Sequence, residues 1–116
     1  MKLDQKQVQK LIALVERDVS KINPTNEIWE HWISSELQNS YIDLIATVEP
    51  FDWTNWSKGI DAIQSGSDFL DFNPDELSKA LLSIWRGNRF TDGLWAKYLR
   101  DGTILRILQR LSSYET

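Results

Sequence analysis

Apolar residues recur along this chain with the 3.6-residue period of helices, and no stretch alternates with the period of two that marks a half-buried strand. Val8, Leu11, Ile12, Val15, Val19 and Ile22 fall on one face, and Gln, Lys, Glu and Arg fill most of the other. The pattern predicts a helix over 5–22, with Asp4 as its N-cap and Asn23-Pro24 as its stop. Thr25 caps a shorter segment carrying Ile28, Trp29, Trp32 and Ile33. A third run, Leu37, Tyr41, Ile42, Leu44, Ile45 and Val48, begins after Ser34-Ser35 and closes at Pro50. Asp52 or Thr54 then opens a helix with Trp53, Trp56, Ile60 and Ile63 inward and Gly66 at its end, and Asp68 to Phe72 reads as a short helical turn.

The clearest start signal is Asn73-Pro74-Asp75-Glu76. Asn73 offers an oxygen to the orphan amides, Pro74 suits the first helical position, and Glu76 completes a capping box while complementing the positive helix end. The helix is predicted to run to about Arg89. Its apolar arc is wide, with Leu77, Ala80, Leu81 and Ile84 central and Leu82 and Trp85 further round, which predicts a central place in the core. Thr91 caps a helix over about 92–100, and Asp101-Gly102 ends it with glycine in the left-handed position. Thr103 starts a last helix whose inward stripe is Ile104, Ile107, Leu108 and Leu111. Several connections are only two to four residues long, so neighbouring helices should pack on one another. The fold class expected is all-α, an irregular or orthogonal bundle of six or seven helices. Pro50 marks a weak boundary between N-terminal helices (1–49) and a C-terminal region (50–114) that should share one core.

Composition narrows the chemistry. A chain of 116 residues with 41% hydrophobic content is the size of one domain and can bury a core. It has no cysteine, which excludes disulfides, thiolate nucleophiles and cysteine zinc sites. His31 is the single histidine, so a histidine metal cluster is excluded and a Ser-His-Asp triad would have to use it. It reads better as a surface or boundary residue. Asp68, Asp71, Asp75 and Glu76 lack the alternating ligands and glycine of a calcium loop, and capping and solvation account for them. No phosphate-binding glycine loop occurs. No cofactor is expected. The early apolar run Leu11 to Val15 is too short for a signal peptide, and no run approaches the roughly 20 apolar residues of a membrane helix. The expectation is a cytoplasmic protein without a membrane role.

Charge is unevenly spread. The net charge is −4, yet between residues 86 and 110 six basic side chains face only Asp92 and Asp101, a local +4. Five of the six are arginine, the side chain suited to planar pairing with carboxylate or phosphate. Arg106 and Arg110 lie one turn apart, roughly opposite the last helix's apolar stripe, and should face solvent. Arg86 points away from the main stripe of its helix, while Arg89 lies beside Leu82 and Trp85. Two readings compete. Arg86 and Arg89 could be pinned to Asp61, Asp92 or Asp101, or they could converge with Trp85 or Trp95 on an anion or an acidic partner. The six tryptophans pose a parallel choice. Trp29-x-x-Trp32 and Trp53-x-x-Trp56 put each pair on one helix face, either as core filling or as an exposed patch of the kind enriched at interfaces.

The stretch Arg86-x-x-Arg89-Phe90-x-x-Gly93-Leu94, followed by Asp101-Gly102-Thr103-Ile104-x-x-Ile107-Leu108-x-Arg110-Leu111, resembles a family of bacterial proteins known only as a domain of unknown function. Pro50-Phe51-Asp52-Trp53-x-x-Trp56 looks like the opening motif of the same family, so the resemblance covers roughly residues 50–111. It implies a small helical domain, brings no activity, and singles out Arg86, Arg89, Phe90, Gly93, Gly102 and Arg110. Gly93, near a helix start, would permit close backbone approach.

The expected function is a binding or interaction module, using Arg86, Arg89, Phe90, Trp85 and Trp95, or the Arg106 and Arg110 face, against an acidic protein surface or a small anion. A homo-oligomer is compatible with this. One alternative is an enzyme of small phosphorylated or carboxylated substrates, with an aspartate base and an arginine clamp. The other is nucleic-acid binding through the basic C-terminal part, which the acidic remainder opposes.

Overall fold

The computed structural model describes residues 4–21 and 33–114, and they form six α-helices with no strand. These are α1 (Gln5–Val19), α2 (Ser35–Ile45), α3 (Ser57–Ser65), α4 (Pro74–Gly87), α5 (Leu94–Arg100) and α6 (Thr103–Ser112), with a 3-10 turn at Trp53–Asn55. The segment expected after Thr25, with Trp29, His31 and Trp32, lies outside the described residues, as does Ile22.

The helix starts follow the residues that dictate them. Asp4 caps α1 by accepting from the amides of Lys6 and Gln7. Ser34 caps α2 through the amide of Leu37. Asn73 and Glu76 make both halves of the capping box on α4, and Pro74 is its first residue. At α5 the cap differs from the expectation: the helix begins two residues later than a Thr91 cap would place it, with Gly93 at φ +82 in the cap position. A Cβ built on Gly93 would meet nothing within 4 Å. Glycine is needed there for the left-handed backbone, not for close approach. Asn88, which ends α4, turns back to accept from the amide of Trp95 at 3.2 Å, so one side chain serves both helices.

α4 is the hub. It packs against α2, α3, α5 and α6, and Leu77, Ala80 and Leu81 are fully buried. α1 lies across α2 and α6, with Val8, Leu11 and Val15 fully buried. Its inward stripe runs through Leu14 and Asp18, leaving Ile12 and Val19 at the flank. Buried residues from both sides of Pro50 join one apolar cluster. Gln5 reaches from the start of α1 to the carbonyls of Leu111 and Tyr114, at 3.0 and 2.5 Å, and closes the end of α6.

Two expected elements differ. Asp52 does not open a helix: its carboxylate holds the Thr54 hydroxyl at 2.9 Å and the Asn55 amide at 2.6 Å, which stabilises a tight turn in place of a helical start. Those contacts, with that from Asn55 the stronger, keep the Asp52 carboxyl below its ordinary pKa. Trp53 and Trp56 therefore do not form one plate. Trp56 packs edge-on between Phe51 and Phe72, whereas Trp53 turns towards Phe90. A Cβ on Gly59 would run into the Trp56 ring. Gly59→Ala should therefore destabilise the protein by about 1–3 kcal/mol through overpacking, despite alanine's better helix propensity. A urea titration with a lowered midpoint checks it.

The second difference lies at 68–72, where a single turn replaces the expected helical one. Phe69 is fully buried and sits at φ +60, a region that non-glycine residues seldom occupy. Side chains of α6, and Tyr114 just beyond it, hold this loop by its carbonyls. Arg106 donates to Ser67, Arg110 to Phe69 and Leu70, and Tyr114 to Phe72 at 2.6 Å. Arg106 and Arg110 are accordingly half-buried on the loop instead of standing free on an open face.

Candidate functional site

Leu82, Trp85 and Arg86 follow the i, i+3, i+4 spacing of one helix face, and Arg89 lies in the turn just beyond it. That face, at the C-terminal end of α4, looks across to the C-terminal end of α2 and the chain that follows it. Between them lies an open groove of about 280 Å³. Ile42, Ile45, Val48 and Pro50 form one wall, Leu82 and Trp85 the other, and Arg86 and Arg89 the rim. Ile42 belongs to the apolar run that predicts α2. It is 37% exposed, because the narrow apolar arc of α2 is already filled by Leu37, Tyr41 and Leu44.

Trp85 is fixed from behind. Its ring meets Trp95 edge-on at 4.9 Å and Tyr41 at 5.8 Å, and Tyr41 and Trp95 are in turn edge-on at 5.3 Å. Tyr41 is fully buried, and its hydroxyl donates to the Leu81 carbonyl at 2.6 Å. Burial raises the Tyr41 pKa well above the ordinary phenol value, and a contact with Trp95 opposes this, so the hydroxyl stays protonated. The groove thus has a half-buried tryptophan wall resting on a rigid aromatic pair.

Arg86 and Arg89 are both exposed, and among the described residues neither makes a side-chain hydrogen bond or ion pair. Asp61, Asp92 and Asp101 do not hold them. The ion pairs lie elsewhere: Arg17 with Asp18 and Glu36, Lys58 with Glu76, and Lys79 with Asp75. The last two occupy Asp75 and Glu76, half of the acidic group considered as a cation site. Among the described residues no group of three or more His, Cys, Asp or Glu side chains could hold a metal ion.

The structure therefore brings Arg86, Arg89 and Trp85 together and leaves the other sequence-derived residues apart. Trp95 is 2% exposed and belongs to the core behind the groove. Phe90 is 79% exposed and lies against Trp53, with ring centroids 6.1 Å apart. Arg106 and Arg110 serve the 67–70 loop. Sequence reasoning missed the α2 wall. The one available signal was Ile42, an apolar residue beside Tyr41 that widens the stripe beyond what α2 can bury.

In class, this is an all-α bundle of six described helices with an arginine-rimmed apolar groove. The family described as "Family of unknown function (DUF6508)" matches residues 26–116, and the chain belongs to it. The match starts earlier than residue 50, where the sequence resemblance began, and takes in all of α2. Neither the curated proteins nor the solved structures provide a match.

Proposed function

We propose that the protein is a cytoplasmic binding module that receives an acidic segment of a partner protein on the Arg86–Arg89 groove. The observation that carries this reading is the pair of guanidinium groups, without partners among the described residues, at the rim of an apolar trough. Exposed ion pairs contribute only about 0–1 kcal/mol each. Affinity would come mainly from apolar contact with Trp85, Leu82 and Ile42, and the arginines would select for charge. Arginine matches a carboxylate in a planar fork, so the favoured partner carries Asp or Glu on the same face as a Leu or Phe.

The test uses a synthetic amphipathic peptide with Glu and Leu at helical spacing, beside inorganic phosphate as a small-anion control, read by amide chemical shifts. The peptide should give saturable shifts at Ile42, Val48, Leu82 and Arg89. The double change Arg86→Ala with Arg89→Ala should weaken peptide binding by up to about thirtyfold, the most that two exposed ion pairs supply, while leaving helicity and melting temperature unchanged, within about 0.5 kcal/mol, as for ordinary surface positions. Saturable shifts with phosphate alone would move the reading to small anions. Unfolding of the double variant would make the arginines structural and end the proposal.

A further inference from the structure

We propose that a second groove, formed where α3 meets α4 and α5, binds a small uncharged molecule built on one ring and carrying a hydrogen-bond acceptor. The groove has a volume of about 250 Å³. Ile60 and Ile63 line it from α3, Ile84 from α4, Leu94 and Tyr98 from α5, and Trp53 from the 3-10 turn. Pockets that take drug-sized ligands hold about 300–1,000 Å³, so this one suits a single ring with a short substituent.

The chemistry of the lining defines the class. No charged side chain contributes to it, so nothing there would balance a charged ligand once water is displaced. Trp53 presents an aromatic face or edge to a ring. Tyr98 supplies the polar requirement. It is 7% exposed, and its hydroxyl has no hydrogen-bond partner among the described residues. The hydroxyl itself still reaches solvent, so it is open to a ligand's acceptor. Burial, with the nearby Asp101 carboxylate adding to it, raises the Tyr98 pKa, so the hydroxyl keeps its proton and can donate. At the rim, Gln64 and Thr91 have no side-chain hydrogen bond among the described residues and offer secondary polar contacts. Gly87 forms bare wall: a Cβ there would meet the Leu94 side chain at 2.8 Å, so Leu94 rests directly on backbone. This site uses neither Arg86 nor Arg89 and stands independently of the groove on the α2 side.

The experiment uses phenol and toluene as probes, alike in shape and different in the hydroxyl, and follows the amide spectrum with the Trp53 indole N–H. Both should give saturable shifts at Ile60, Ile84 and Leu94. Tyr98→Phe, whose own amide spectrum confirms folding, should weaken phenol about three- to tenfold, the worth of one neutral hydrogen bond, and leave toluene within about twofold. Thr91→Trp, at an exposed rim position, should block both probes, whereas the double change at Arg86 and Arg89 should affect neither. Absence of saturable shifts, equal weakening of phenol and toluene by Tyr98→Phe, or unaltered binding to Thr91→Trp would each overturn the proposal.

Discussion

Trp95→Ala is expected to cost about 3–5 kcal/mol of stability, the usual loss for truncating a buried tryptophan. Trp95 touches both Tyr41 and Trp85 and contributes to the apolar cluster that joins the helices. Its removal leaves a cavity beside Tyr41 of α2 and Trp85 of α4. The loss should appear as a lowered urea midpoint with an unchanged slope. The same change should weaken peptide binding in the α2 groove, because Trp85 loses the ring behind it. That coupling separates Trp95 from Arg86 and Arg89, whose removal should affect binding alone. A loss below about 1 kcal/mol, typical of a surface position, would mean the aromatic pair does not set the wall.

Asp18→Asn is expected to destabilise the protein by about 1–3 kcal/mol near neutral pH, the range for disrupting a buried hydrogen-bonded polar group. Asp18 is fully buried on α1 and accepts from the Ser34 amide at 2.8 Å and from Arg17 Nε at 2.9 Å. Arg17 in turn reaches Ser34 Oγ and Glu36. The knot therefore fastens the end of α1 to the start of α2. Burial by itself would raise the Asp18 pKa, but the hydrogen bonds from Ser34 and Arg17 together outweigh it and hold the carboxyl below its ordinary value. A depressed folded pKa contributes stability that is complete above the unfolded value of about 3.9 and disappears as pH falls through the folded value. The advantage of the native protein over Asp18→Asn should therefore persist at pH 5–8 and shrink below about pH 4. Denaturant titrations across that range measure it, and a constant difference would show that the charge is irrelevant.

These two residues also show what sequence patterns reveal and what they hide. The α4 capping box was legible because four consecutive residues each had a single physical use there. The α6 stripe was legible because Ile104, Ile107, Leu108 and Leu111 match one face, and all four are fully buried. Asp18 was hidden, because its partner Ser34 lies 16 residues away and nothing local distinguishes a buried aspartate from a solvated one. Arg106 and Arg110 were expected to face solvent, and the loop whose carbonyls they hold, with its left-handed Phe69, is not encoded in periodicity. The aromatic spacing Trp53-x-x-Trp56 misled because the hydrogen bonds that the Asp52 carboxylate accepts from Thr54 and Asn55 won over helix initiation. Of the candidate site, the α4 half came from the sequence. The α2 half depends on how two helices cross, which no single-helix pattern contains.

The reach of α1 has a consequence for what counts as the working unit of this family member. The family match begins at residue 26, beyond the end of α1. Yet α1 packs on both α2 and α6, and Gln5 latches its start to the end of α6. The stretch marked out by kinship and the stretch that can keep its oily interior dry are different lengths of chain, and water enforces only the second.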